Sequence, residues 1–198
     1  AAVLAGVRSI EHGTYLTDTT LRLMKERGTW LVPTIQTIDD MAQVGAEPPD
    51  PVLLLRGRHM VPRLEETVRR AHAIGVRVAT GVDTDYGPKS LPRVAGECAA
   101  LVRLGYTPLE ALRAATTDAA ELLGLGGKTG AVAQGLEADL LVLDRNPLVD
   151  VDALADVLMV VSNGRVAVNR SCMRSRTSTA LAGRSGGVLS AAPPQPAR

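Results

Sequence analysis

Val7-Arg8-Ser9-Ile10-Glu11-His12-Gly13 and Val76-Arg77-Val78-Ala79-Thr80-Gly81-Val82-Asp83-Thr84 are the two stretches on which the fold turns. Each is a short apolar run that ends in a metal-competent side chain, His12 or Asp83. Each is followed by a turn and then by helical sequence. A strand buried on both faces of a parallel sheet reads as a near-continuous apolar run. Between the two, residues 29–36 (Thr-Trp-Leu-Val-Pro-Thr-Ile-Gln) read as another strand. Pro33 cannot donate a ladder bond and is predicted to mark its end.

Helical sequence alternates with these strands. Residues 1–6 read as the end of a helix, with Gly6 as the stop. Thr17 or Asp18 can cap a helix running to Arg27, and Gly28 supplies its stop. A further helix is predicted over 63–74, closed by Gly75. The order αβαβαβ signals a parallel sheet. In a (β/α)₈ barrel the catalytic side chains sit at the carboxyl ends of the strands. His12 and Asp83 therefore read as two pieces of a barrel-type metal site. Residues 37–60, which include Pro48, Pro49 and Pro51, are predicted to form a long connection of the kind that serves as a lid.

Helices follow over 92–104, 107–115 and 118–123. Thr107-Pro108-Leu109-Glu110 combines an N-cap Thr, Pro at the first helical position and a capping Glu. The Gly-rich stretch 124–130 has no phosphate-binding spacing and reads as a hinge. Beyond it come short apolar runs separated by Gly, Asp, Asn and Pro. Asn163-Gly164 between Val160-Val161 and Val166-Val168 is a strong hairpin signal. The expected organisation is an α/β unit over 1–128, an antiparallel β unit over 129–168 and a disordered tail over 169–198.

Composition narrows the function classes. The chain has 198 residues, 45% hydrophobic and 22% charged, with net charge +1. That balance is globular and offers no electrostatic footprint for nucleic acid or an anionic membrane. With no Phe, the core must be built from Val, Leu, Ile and Ala. Cys98 and Cys172 have neither disulfide-framework nor zinc-knuckle spacing. No apolar run approaches the ~18 residues of a membrane span. The chain opens at Ala1 without a visible signal peptide and reads as cut from a longer protein, with a cytoplasmic location expected.

Four residues are candidates for chemistry. Neutral imidazole is a good ligand for zinc or another divalent metal, and His12 ends its strand. Taken alone, a strand-end His is more often structural. Asp83 also ends a strand, where a carboxylate can bind metal and take a proton from water acidified by that metal. The plain alternative is a helix-capping Asp. Asp85, two residues further into the loop, is its rival. Thr14 and Tyr15 follow His12 and are candidate substrate contacts, with packing as the alternative. His72 reads as a half-buried helix residue, and His59 as a solvated loop residue.

These residues resemble a family. Ile10-Glu11-His12-Gly13, Leu31-Val32-Pro33-Thr34 and Gly75 through Asp83 look like the last three strands of an amidohydrolase-superfamily barrel. Thr107 through Leu112 with Ala114-Ala115-Thr116 resembles its following helix. Gly135 through Leu143 with Asn146-Pro147 and Asn163-Gly164-Arg165-Val166 resemble its closing β unit. The nearest groups are the imidazolonepropionase-like and prolidase-like enzymes.

The resemblance implies the C-terminal three β/α units of a TIM-like (β/α)₈ barrel plus part of a small β-sandwich, incomplete as it stands. It implies hydrolysis of an amide, peptide or cyclic-amide bond by metal-activated water, and one or two divalent ions, expected to be zinc. His12 matches the metal-ligand His after the sixth strand, and Asp83 the ligand and general base after the eighth. A small-molecule or dipeptide substrate and a homo-oligomeric intact enzyme are implied, with no nucleic-acid or membrane partner. The family's His-x-His pair, bridging Lys and fifth-strand His have no counterpart here. Two protein ligands fall short of the three typical of a catalytic zinc. The fragment alone is therefore expected to be inactive. The alternative is a non-catalytic assembly module that pairs with a separate N-terminal half.

Overall fold

The structure is a computed structural model that describes residues 1–42, 51–83 and 93–170. A 3₁₀ turn at Val3–Ala5 leads into strand β1, Ser9–Glu11. Helix α1, Asp18–Arg27, begins where Thr17 accepts the Thr20 amide and ends at Gly28, whose φ is +68°. It buries Leu21 and Met24 one turn apart, as the apolar spacing requires. Strand β2, Trp30–Val32, pairs parallel to β1, with Ile10 opposite Leu31.

The third strand expected over 76–81 is reduced to one parallel bridge, Val78 to Leu31. Leu31 N–H donates to the Arg77 carbonyl, and Ala79 N–H donates back to Leu31. The next rung would need an N–H from residue 33, which is Pro, so the ladder ends there, while the Thr80 amide on the other side of the segment donates to Ala114. β2 therefore lies between β1 and the 77–79 segment. β2 itself is shorter than the expected 29–36, because helix α2, Ile35–Ala42, starts directly after Thr34.

The described residues of the long connection expected over 37–60 are helical. α2 covers its start, and helix α3, Pro51–Ile74, runs through its second half and on past Pro62. Ile35 and Ile38 are buried at helical spacing, with Met41 packed against the same core. Pro51 occupies the first helical position, where its missing N–H costs nothing. Gly57 settles the packing: a Cβ there would lie 2.3 Å from the Met41 carbonyl carbon, so the two helix backbones are in direct contact. Burial along this contact outweighs the single backbone bond lost at Pro62.

Helix α4, Arg93–Arg103, packs against both α2 and helix α5, Pro108–Ala115. The Thr107–Glu110 capping box forms as the sequence requires. Helix α6, Thr117–Leu122, closes the helical part. One apolar cluster runs through these elements, including Leu21, Leu31, Leu64, Val68, Cys98 and Leu101. Burial pushes the Cys98 thiol up to about 11, so it stays a neutral packing group.

Strands β3 (Leu140–Leu143), β4 (Val157–Ser162) and β5 (Arg165–Asn169) form a separate antiparallel sheet in that order. Asn163 and Gly164 both have positive φ, as a tight hairpin requires. Between this sheet and α4–α6 lies an apolar cavity of about 1020 Å³, lined among others by Leu112, Leu123, Leu141 and Val157. Among the described residues, no helix is long and apolar enough to cross a membrane.

Candidate metal centre

Three residues at the carboxyl ends of neighbouring chain segments share an uncommon backbone conformation. His12 after β1, Thr34 after β2 and Asp83 beyond the 77–79 segment have φ of +60°, +49° and +44°. His and Asp tolerate the left-handed region, whereas a β-branched Thr there is strained. The strain is held by neighbours. His12 N–H donates to the Val32 carbonyl at 2.9 Å, which extends the parallel ladder past β1. The Thr37 hydroxyl, in the first turn of α2, lies 2.6 Å from the Val82 carbonyl and 2.9 Å from that of Asp83.

The side chains converge. His12 Nε2 lies 3.7 Å from Asp83 Oδ2, and both side chains are about half exposed, at 43% and 57%. His12 Nδ1 lies 2.6 Å from Thr34 Oγ1. The Thr34 hydroxyl has one proton, and it is directed at the Pro33 carbonyl 2.7 Å away. The Nδ1–H tautomer, donating to Thr34, satisfies both contacts. In that tautomer Nε2 keeps its lone pair on the Asp83 side. A metal-binding His usually has its other nitrogen fixed by such a partner. Sequence reasoning missed Thr34. The available signal was its place after the strand-ending Pro33, at the start of a helix.

The donor set fits a divalent ion. Two ligands each about 2.1 Å from a common ion stand roughly 3–4 Å apart, which includes the observed separation. A neutral imidazole nitrogen and a carboxylate oxygen are donors that zinc accepts. Among the described residues, no group of three or more His, Cys, Asp or Glu is arranged so that it could hold a metal ion.

The other candidates fall elsewhere. Thr14 is turned inward at 6% exposure, and its carbonyl accepts from the Thr67 hydroxyl on α3. It packs between the β1 loop and α3 and does not face the open end where a substrate contact was expected. Tyr15 is exposed beside His59, their rings 6.3 Å apart. His59 lies on α3, correcting its expected loop position, because the helix extends upstream of Pro62. His72 stacks on Tyr106 and lies 3.3 Å from Glu110, a structural contact remote from the strand ends. Asp85 lies outside the described residues.

A family model described as "Amidohydrolase family" matches residues 1–167. The chain belongs to the amidohydrolase family. Ochratoxinase of Aspergillus niger is 34% identical over 157 residues, covering 76% of this chain and 31% of that protein. Imidazolonepropionase of Rubrobacter xylanophilus is 47% identical over 66 residues, covering 31% of this chain and 15% of that protein. A crystal structure of a prolidase complexed with N-methylphosphonate-L-proline superposes with a TM-score of 0.77 at 35% identity, covering 85% of this chain and 42% of that one. These findings agree with the resemblance to imidazolonepropionase-like and prolidase-like members. They support a mixed α/β fold of the amidohydrolase kind. The chain spans less than half the length of the curated relatives it matches.

Proposed function

We propose that the protein to which this region belongs is a metal-dependent hydrolase of carbon–nitrogen bonds, and that this region forms the C-terminal part of its barrel. The observation that carries the proposal is the approach of His12 Nε2 and Asp83 Oδ2 to 3.7 Å at neighbouring strand ends. The amide-cleaving relatives and the prolidase complex support the substrate class: a dipeptide, another small amide or a cyclic amide.

His12 and Asp83 are the residues that would hold the ion. A bound divalent ion, zinc for this donor set, lowers the pKa of a water molecule and polarises the scissile carbonyl. The residues of this chain do the rest. Thr34 holds the His12 ring with Nε2 toward Asp83, where it would face a bound ion. Asp83, half exposed, has a second carboxylate oxygen with which to take a proton and pass it to the leaving amine. The Thr37 hydroxyl holds the Asp83 backbone and so fixes where that carboxylate points.

The test is turnover of small amide substrates, X-Pro dipeptides and N-acyl amino acids first, by the zinc-loaded protein that carries this region. His12→Ala and Asp83→Asn should each lower turnover by at least ~10³-fold. Near-normal turnover of Asp83→Asn would overturn the assignment and make Asp85 the base to examine.

A further inference from the structure

We propose that Glu97, on α4, is a positioning residue for the His12–Asp83 site and acts through the first turn of α2. The inference rests on the site reading above.

The first amides of any helix lack intrahelical partners, and the residue at the N-cap normally supplies a side-chain oxygen to one of them. In α2 that residue is Thr34, a good capping type. Its hydroxyl is instead committed to His12 Nδ1 and the Pro33 carbonyl. The Ile35 and Gln36 amides are taken by Glu97: Oε1 accepts from Ile35 at 2.9 Å and Oε2 from Gln36 at 3.0 Å. Glu97 is completely buried. Burying a carboxylate is costly unless its oxygens are hydrogen-bonded, and a capping Thr would satisfy the helix far more cheaply. Such a Thr is already in place and faces the other way.

The residues on either side of the clamped amides are the ones that touch the site. Thr34 holds the His12 ring, and Thr37 holds the Val82 and Asp83 carbonyls. A rigid first turn of α2 therefore fixes both ligands, and Glu97 makes it rigid. Gly96 permits the arrangement, since a Cβ there would lie 2.6 Å from the Gln36 side chain. Sequence reading could not find this link, because Glu97 stands far along the chain from Ile35.

The test uses the 198-residue chain labelled uniformly with ¹⁵N, in which three imidazoles and the backbone amides report. The metal-free wild type should show His12 as the Nδ1–H tautomer, with slow exchange of the Ile35 and Gln36 amides. In Glu97→Ala the His12 signal should move toward a tautomer mixture and those amides should exchange at least ~10-fold faster. Glu97→Gln, which keeps one acceptor, should fall between. His72, held by Tyr106 and Glu110, should not change in either variant. If Glu97→Ala does not fold, Glu97→Gln carries the test. A folded variant whose His12 tautomer matches the wild type would overturn the positioning role. Zinc titration of the same samples addresses the site reading separately: failure of the wild type to bind through His12 would sink that reading, while the metal-free tautomer still decides Glu97.

Discussion

The Nδ1 atom of His12 and the hydroxyl of Thr34 are 2.6 Å apart, although the two residues sit at the ends of different strands. Thr34 holds this contact from a left-handed backbone conformation that a β-branched residue occupies at a cost of roughly 1–2 kcal/mol. The molecule thus retains local strain at the point where a ligand is oriented.

Thr34→Gly separates the two effects. Glycine relieves the strain but loses about 0.5–1 kcal/mol through its freer unfolded chain. Thermal stability should therefore change little or rise slightly. Zinc affinity at His12 should fall roughly 10–100-fold, as for the loss of a residue that orients a ligand. Calorimetry on the variant gives both values. A large loss of stability with unchanged affinity would contradict the role given to Thr34.

Glu97 makes stability depend on pH. Burial raises its carboxyl from 4.5 to about 7, against the opposing pull of the Ile35 and Gln36 amides. Asp39 adds a smaller raising effect, and Arg103 a smaller lowering one. Between pH 4.5 and 7 the folded chain holds this proton and the unfolded chain has released it. Stability from this group therefore falls as pH rises through that window. The full shift corresponds to on the order of 3 kcal/mol. Denaturant unfolding of wild type and Glu97→Gln across the window should show the slope in the wild type and a flatter profile in the variant.

Gly57→Ala sets helix propensity against packing. Alanine gains about 1 kcal/mol of propensity in a helix interior. Its Cβ would meet Met41 backbone at 2.3 Å, and backbone has little room to give. Overpacking of this kind costs about 1–3 kcal/mol, so the net effect should be destabilising. A raised melting temperature would show that α2 and α3 do not pack as described.

Thr107→Ala removes one half of the capping box that starts α5. The expected loss is ~1 kcal/mol. Glu110, whose carboxyl is held below its ordinary range first by the Thr107 amide and then by the Thr107 hydroxyl, should titrate higher in the variant. Chemical denaturation and carboxyl NMR titration report the two effects.

Local chemistry made α1, α5 and the 163–164 hairpin legible, because their caps and turn residues lie within a few positions of the elements they define. His12 and Asp83 were legible as residue types at strand ends. What could not be read is non-local. α2 and the upstream half of α3 form because Gly57 lets two backbones touch, which outweighs Pro62. The cap of α2 comes from Glu97 on another helix, and Thr34 faces His12 only once β1 and β2 are paired. The third strand is cut to one bridge because Pro33 has no N–H for the next rung, a local signal that was legible, while the Thr80 amide meets Ala114 on α5.

The most direct measurement is a zinc titration of the ¹⁵N-histidine-labelled chain. His12 Nε2 should shift on binding while His59 and His72 do not, and Asp83→Asn should weaken the response by at least ~10-fold. A response confined to His59 or His72, or one that Asp83→Asn leaves unchanged, would contradict a metal centre built on His12 and Asp83.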